Sequence, residues 1–174
     1  MTATTINSED RPTYQASPVM QMNTDELLGT ALRVIQQQWH ELRNTENQIV
    51  SSEASMEKIR QYLTIETHDL QNEIFGCLFL NTRHFLIAKE TLFHGTVDGA
   101  AVYPRVVAQR ALALNASAVV LFHNHPSGDT HPSAADENLT QRLKEALGLL
   151  DVRVLDHIIT GGGESVSMAK KGLI

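Results

Sequence analysis

Residues 123 to 136 read HNHPSGDTHPSAAD and hold most of the chemistry this sequence offers. His123 and His125 stand two residues apart, directly after the apolar run Ala118-Val119-Val120-Leu121-Phe122. Alternate side chains of a strand leave from one face, so the two imidazoles can meet at one point. Asp136 follows eleven residues after His125, across a loop punctuated by Pro126, Gly128 and Pro132. A turn of that length brings the carboxylate back to the histidines. Two histidines and one carboxylate are a ligand set of catalytic zinc, and three protein ligands leave the fourth position to water. Zinc lowers the pKa of that water from about 16 toward about 7.

Asp136 also fits a second role. Ser133-x-x-Asp136 has the spacing of a capping box, with Ser133 at the helix cap and Asp136 at the third helical position. The two roles agree, because the helix dipole favours an ionised carboxylate in the first turn. Asp156 and His157 form a polar pair inside an apolar run, either as a self-contained structural pair or as partners that orient a ligand imidazole. His131 lies in the loop and is a weaker candidate ligand; His40, His68, His84 and His94 have no partner at ligand spacing, and Arg105 is assigned no role. The one cysteine, Cys77, sits in Ile74-Phe75-Gly76-Cys77-Leu78-Phe79-Leu80 and reads as a buried structural thiol.

The elements that must position these groups follow from apolar period. Residues 1–23 carry Pro12 and Pro18 with no such period and are expected to be a mobile tail. From Thr24, a helical cap, Leu27, Leu28, Ala31, Val34, Ile35, Trp39 and Leu42 recur at helical spacing within an N-terminal helical segment, 24–54. A second helix is expected from Ser55 to Leu63, burying Met56, Ile59, Tyr62 and Leu63. Glu73–Leu80 and Phe85–Lys89 read as a hairpin, with Leu92–Thr96 extending its second strand. Pro104 opens a helix whose Val106, Val107, Ala111, Leu112 and Leu114 face the core, and Asn115 ends it. Ala118–Phe122 is a strand covered on both faces. A helix from Ser133 to about Leu150, with Leu139, Leu143, Leu147 and Leu150 at spacing three or four, precedes a strand over Val152–Thr160. Gly161-Gly162-Gly163 turns the chain into a last edge at Val166–Met168. The alternation implies an α/β fold, a central sheet flanked by helices, with its main domain over 55–174.

The formal net charge is −6, with 20 acidic against 14 basic residues, which disfavours nucleic acid as a partner. No apolar stretch reaches the roughly 18 residues of a membrane span, and the N-terminus lacks the basic start and apolar core of a secretory signal. A cytoplasmic protein with no membrane partner is expected.

The spacing His-x-His, seven residues, Ser, two residues, Asp at His123, His125, Ser133 and Asp136 resembles the JAMM motif of JAB/MPN metalloproteases. Leu92-Phe93-His94-Gly95-Thr96, Val102-Tyr103-Pro104-Arg105, His123 to Gly128 and Leu155-Asp156-His157-Ile158-Ile159 are similar to the bacterial RadC-like branch, collinear over roughly residues 55–174. The resemblance implies a JAB/MPN, cytidine-deaminase-like fold with a mixed central sheet, one Zn2+ per chain, and hydrolysis of a peptide or isopeptide bond. It implies a peptide or protein substrate, a ubiquitin-like tail among the candidates. It also implies a glutamate base before the motif. Glu73, at the opening of an apolar strand, matches that position better than Glu90. Ser133 would donate to the developing oxyanion, a role that competes with its cap. Two other readings come with the family: a DNA repair or recombination accessory factor, and a metal-free scaffold. The roughly 50 residues before the resemblance show no Gly-x-Gly hairpin motif, which weakens the first, and the complete ligand set argues against the second.

Overall fold

Seven consecutive apolar or small residues, Ile74 to Leu80, leave no polar face to turn toward water, so this run has to be covered on both sides. In the computed structural model, which describes residues 23–44, 53–95 and 101–174, it forms a fully buried central strand, β1 (Ile74–Leu80). Its neighbours are β2 (Leu86–His94) on one side and β3 (Ala118–Asn124) on the other, both antiparallel to it. Beyond β3 lie β4 (Arg153–Gly161), parallel to β3, and β5 (Glu164–Ser167), antiparallel to β4, giving the order β2-β1-β3-β4-β5. The parallel β3–β4 pair needs a crossover, supplied by helix α4 (Ala134–Gly148).

Alternation along β1 and β3 sorts the core into two layers. Phe75, Cys77, Phe79, Val119 and Leu121 pack on one face against Leu143 and Leu147 of α4 and against Val107 and Ala111 of α3 (Pro104–Ala113). Leu78, Leu80, Val120 and Phe122 pack on the other, against Ile59 and Leu63 of α2 (Glu53–Thr67). The result is the mixed α/β architecture, a sheet between helices, that the alternation of elements implies. Helix α1 (Thr24–Asn44) touches α2 but leaves Leu27, Leu28 and Val34 exposed. Residues 1–22, Thr96 and the side chains of Ile35, Trp39 and Leu42 lie outside what is described.

Several expected boundaries move. Helix α2 starts two residues before Ser55 and runs on to Thr67, where the Thr67 hydroxyl lies 2.7 Å from that of Thr160 and ties the helix end to β4. Strand β2 is continuous to His94 because it ladders with β1 all the way to Ile74. Helix α3 buries only Val107 and Ala111 and half-buries Leu114; Val106 and Leu112, expected inside, face solvent. Leu150 lies past the end of α4 and is exposed, and β5 lies two residues earlier than expected, at Glu164 rather than Val166.

The β1–β2 hairpin turns at Asn81, whose side-chain oxygen accepts from the backbone N–H of Arg83 and Phe85. Gly76 lies opposite Phe122, and a Cβ there would sit 2.5 Å from the Glu90 carbonyl and collide with the Phe122 ring. The carbonyl belongs to the neighbouring strand and cannot swing away. Gly76→Ala is therefore expected to cost about 1–3 kcal/mol, read as a lower denaturant midpoint than wild type. Cys77 is fully buried and its thiol is pushed up by that burial, so thiol reagents should modify it only at the rate of unfolding. A fast reaction in the native protein would contradict this placement.

Candidate metal centre

The end of β3 leads directly to the candidate ligands. His123 is a buried strand residue, and His125 lies just past the strand, its N–H still donating to the Thr160 carbonyl at the end of β4 (2.8 Å). The chain then bends at once: the Gly128 N–H donates to the His125 carbonyl, and Gly128 has φ +85°, where a side chain would be strained. Ser133 caps α4. Its Oγ accepts from the Asp136 N–H (3.2 Å), while the Asp136 carboxylate accepts from the Ser133 N–H (2.8 Å) and hydroxyl (2.6 Å). This complete capping box aims Asp136 at the histidines. His123 Nε2 lies 3.1 Å from Asp136 Oδ1, His125 Nε2 lies 3.5 Å from Asp136 Oδ2, and the two Nε2 atoms are 2.9 Å apart. One ligand atom from each residue falls within 4.8 Å of the others, a group able to hold a metal ion.

The hydrogen bonds behind these atoms show why a cation suits the cluster. His125 Nδ1 is 2.6 Å from the Asp129 carbonyl, which only accepts, so Nδ1 carries the proton and neutral His125 presents a bare Nε2. The carboxylate opposite it has only lone pairs to offer. Such groups repel unless something positive sits among them, either a proton or a metal. His125 is accordingly held above its usual range, chiefly by the hydrogen bond with Asp136, against burial and with help from the Asp129 backbone and the charge of Glu73. Burial alone would raise Asp136, but its contacts with the His123 and His125 rings and the hydrogen bond from Ser133 outweigh it and hold the carboxyl well below the usual range.

These shifts fix the sign of a pH effect on the metal-free protein. A raised His125 contributes stability that is present below its unfolded value and lost as pH rises through its folded one. A depressed Asp136 contributes stability above its own unfolded value, lost only under strong acid. Without metal, the Tm gap between wild type and His125→Gln should therefore shrink as pH rises from about 6 to about 8. A gap that widens with pH would contradict the assigned pairing.

The other sequence candidates separate clearly. Glu73 lies one residue before β1. It lies at the end of the sheet where Phe75 pairs with His123, and its charge is felt at His125. Asn124 straddles it, accepting from the Ile74 N–H (2.8 Å) and donating to the Asn72 carbonyl (3.2 Å). Glu90, by contrast, is gripped in a two-point pair by Arg110 (2.5 and 2.6 Å), which lowers its pKa. His131 pairs with Asp129 on the surface. Asp156 hydrogen-bonds neither His123 nor His125: it accepts from the His157 and Ala169 N–H groups and the Ser167 hydroxyl. His157 does reach one, with Nε2 2.7 Å from His123 Nδ1. Thr140 and Asn124 escaped the sequence reading. Thr140 had a signal, since it lies four residues after Asp136 and so on the same helix face.

Fold and cluster together define an α/β domain with a candidate single-metal centre at the carboxyl end of a central strand. The family model of the RadC-like JAB domain matches residues 53–173, and the chain belongs to that family. It is 59% identical over 118 residues to a UPF0758 protein of Stutzerimonas stutzeri, covering 68% of this chain and 53% of that one. A UPF0758 protein of Azotobacter vinelandii is 58% identical over the same shares, and one of Halorhodospira halophila is 56% identical over 121 residues, 70% of this chain and 54% of its own. The chain thus spans about half the length of the curated relatives it matches. Among the described residues, no helix is long and apolar enough to cross a membrane.

Proposed function

We propose that this chain is a zinc-dependent hydrolase of peptide or isopeptide bonds, with His123, His125 and Asp136 as the metal ligands. The observation that carries this reading is the convergence of two imidazole nitrogens and a carboxylate at one strand end. Nitrogen and carboxylate donors suit zinc, and the partial exposure of His125 and Asp136 suits a site that water and substrate can reach rather than a closed structural one. Zinc, when bound, would supply Lewis acidity toward a carbonyl and lower the pKa of water.

The protein's own groups supply the rest. Glu73, close enough to His125 for its charge to be felt there, takes the proton of the attacking water and passes it to the leaving amine. Ser133 donates to Asp136 Oδ2 in the resting cap, so donation to a developing oxyanion requires its hydroxyl to rotate away from that oxygen. Strands β2 and β5 are the two edges of the sheet, and His94 of β2 and Glu164 of β5 lie at the same end of the sheet as His123. An extended peptide can add to either edge through its main chain.

The test is cleavage of peptide and isopeptide panels, including a ubiquitin-like tail joined to lysine, by zinc-loaded and chelator-stripped protein, read by mass spectrometry. Cleavage that disappears with the metal and returns with added zinc is the expected result. Zinc-loaded protein that cuts none of them, or protein that takes up no zinc, overturns the proposal.

A further inference from the structure

His123 can bind a metal through Nε2 only if its ring proton sits on Nδ1, and in a buried ring that choice is made by the partner of Nδ1. Here the partner is a second imidazole, which can donate or accept, so the pair alone leaves the choice open. The next atom decides it. His157 Nδ1 lies 2.6 Å from Thr140 Oγ1, and that oxygen lies 2.6 Å from the Asp136 backbone carbonyl.

Thr140 has one hydroxyl proton, and the Asp136 carbonyl can only accept. The proton therefore goes to the carbonyl, the usual back-bond of a threonine in a helix. The opposite polarity would set two oxygen lone pairs face to face at 2.6 Å. The other neighbour of the hydroxyl, Met168 Sδ at 3.7 Å, is a weak acceptor and cannot compete. Thr140 Oγ1 then accepts from His157 Nδ1–H, His157 Nε2 is bare, and it accepts from His123 Nδ1–H. His123 Nε2 is left bare toward His125 and Asp136. Thr140 and His157 are essentially inaccessible and His123 nearly so, which leaves solvent no place in the chain.

We infer that Thr140 and His157 are positioning residues that fix the tautomer of His123, so that Nε2 is offered to the metal before any metal arrives. The metal part of this inference rests on the ligand set proposed above, whereas the tautomer itself does not. The relay also loops back. Asp136 supplies a carboxylate to the cluster from its side chain and orients the Thr140 hydroxyl through its backbone carbonyl, so one turn of α4 places one ligand and sets the proton of another.

The experiment uses the full chain, metal-free, at about pH 8, with 15N-labelled histidine. Long-range proton–nitrogen correlation spectra report which ring nitrogen carries the proton. Wild type should show His123 protonated at Nδ1 and His157 at Nδ1. Thr140→Val, nearly isosteric, removes the acceptor for His157 Nδ1–H and should shift both rings toward the other tautomer. Thr140→Ser, which keeps the hydroxyl, should restore the wild-type pattern. In chelator competition, zinc affinity should fall about 10- to 100-fold in Thr140→Val and recover in Thr140→Ser. A wild-type His123 protonated at Nε2 overturns the inference even if zinc binds. So does a Thr140→Val protein with unchanged tautomers and affinity. Should wild type bind no zinc yet show the assigned tautomers, the function proposed above fails while the tautomer relay stands.

Discussion

Purified wild type is expected to carry about one zinc ion per chain, and His123→Ala and Asp136→Ala to carry essentially none. The reason is the small number of ligands. Removing one of three protein donors takes away a bond to the ion itself, whereas an outer partner only orients such a bond and costs about 10- to 100-fold in affinity. The loss in either alanine variant should exceed that range. Asp136→Ala has a second effect, because it also breaks the reciprocal half of the Ser133 capping box. A helix cap is worth about 0.5–2 kcal/mol, so some destabilisation accompanies the lost metal. Asp136→Asn separates the two effects: its amide oxygen can still accept from the Ser133 N–H, but its charge is gone. Metal lost with helix content and Tm nearly kept is the expected outcome for Asp136→Asn. Elemental analysis showing one ion per chain in both His123→Ala and Asp136→Ala would remove these residues from any metal site.

Much of this site could be read from residue types alone, for a physical reason. Candidate ligands carried on one strand end and one helix start are close in sequence, and their spacing is set by two local rules, alternation along a strand and the reach of a capping box. His123, His125, Ser133 and Asp136 obey both. The groups behind them come from distant parts of the chain and carry no such mark. His157 meets His123 only because β4 lies parallel beside β3, and the polar pair Asp156-His157 looks self-contained until the sheet shows that alternate residues face opposite layers. Asn124 reads as a spacer between two histidines, yet it faces away from them and holds the backbone on either side of Glu73. In the fold, buried strands were legible because both of their faces are apolar, as in Ala118–Phe122. The outward-facing Val106 and Leu112 misled because a short helix against a sheet buries a narrow stripe, and apolar residues beside that stripe are tolerated in solvent.

Glu73→Gln should leave zinc content unchanged while lowering the rate of hydrolysis by about 100- to 10,000-fold, the usual contribution of a positioned general base. The substitution keeps the size and hydrogen-bonding reach of the side chain and removes its capacity to take a proton together with its negative charge. Glu73 stands outside the metal-ligand group, so the metal has no reason to leave. Glu90→Gln is the matched comparison, because either glutamate could be taken for a strand-end base from the sequence, whereas the structure sets Glu73 just before β1 and Glu90 in the middle of β2, paired with Cys77. In the structure Glu90 spends both oxygens on Arg110, which lowers its pKa and leaves it a poor proton acceptor. Losing that partly exposed, solvent-screened pair should cost little stability and little activity. The pair of variants therefore sorts the two carboxylates by proton transfer rather than by charge, since both lose one negative charge. Activity retained in Glu73→Gln and lost in Glu90→Gln would move the base to the middle of β2, and Arg110 would then have to release Glu90 before each turnover.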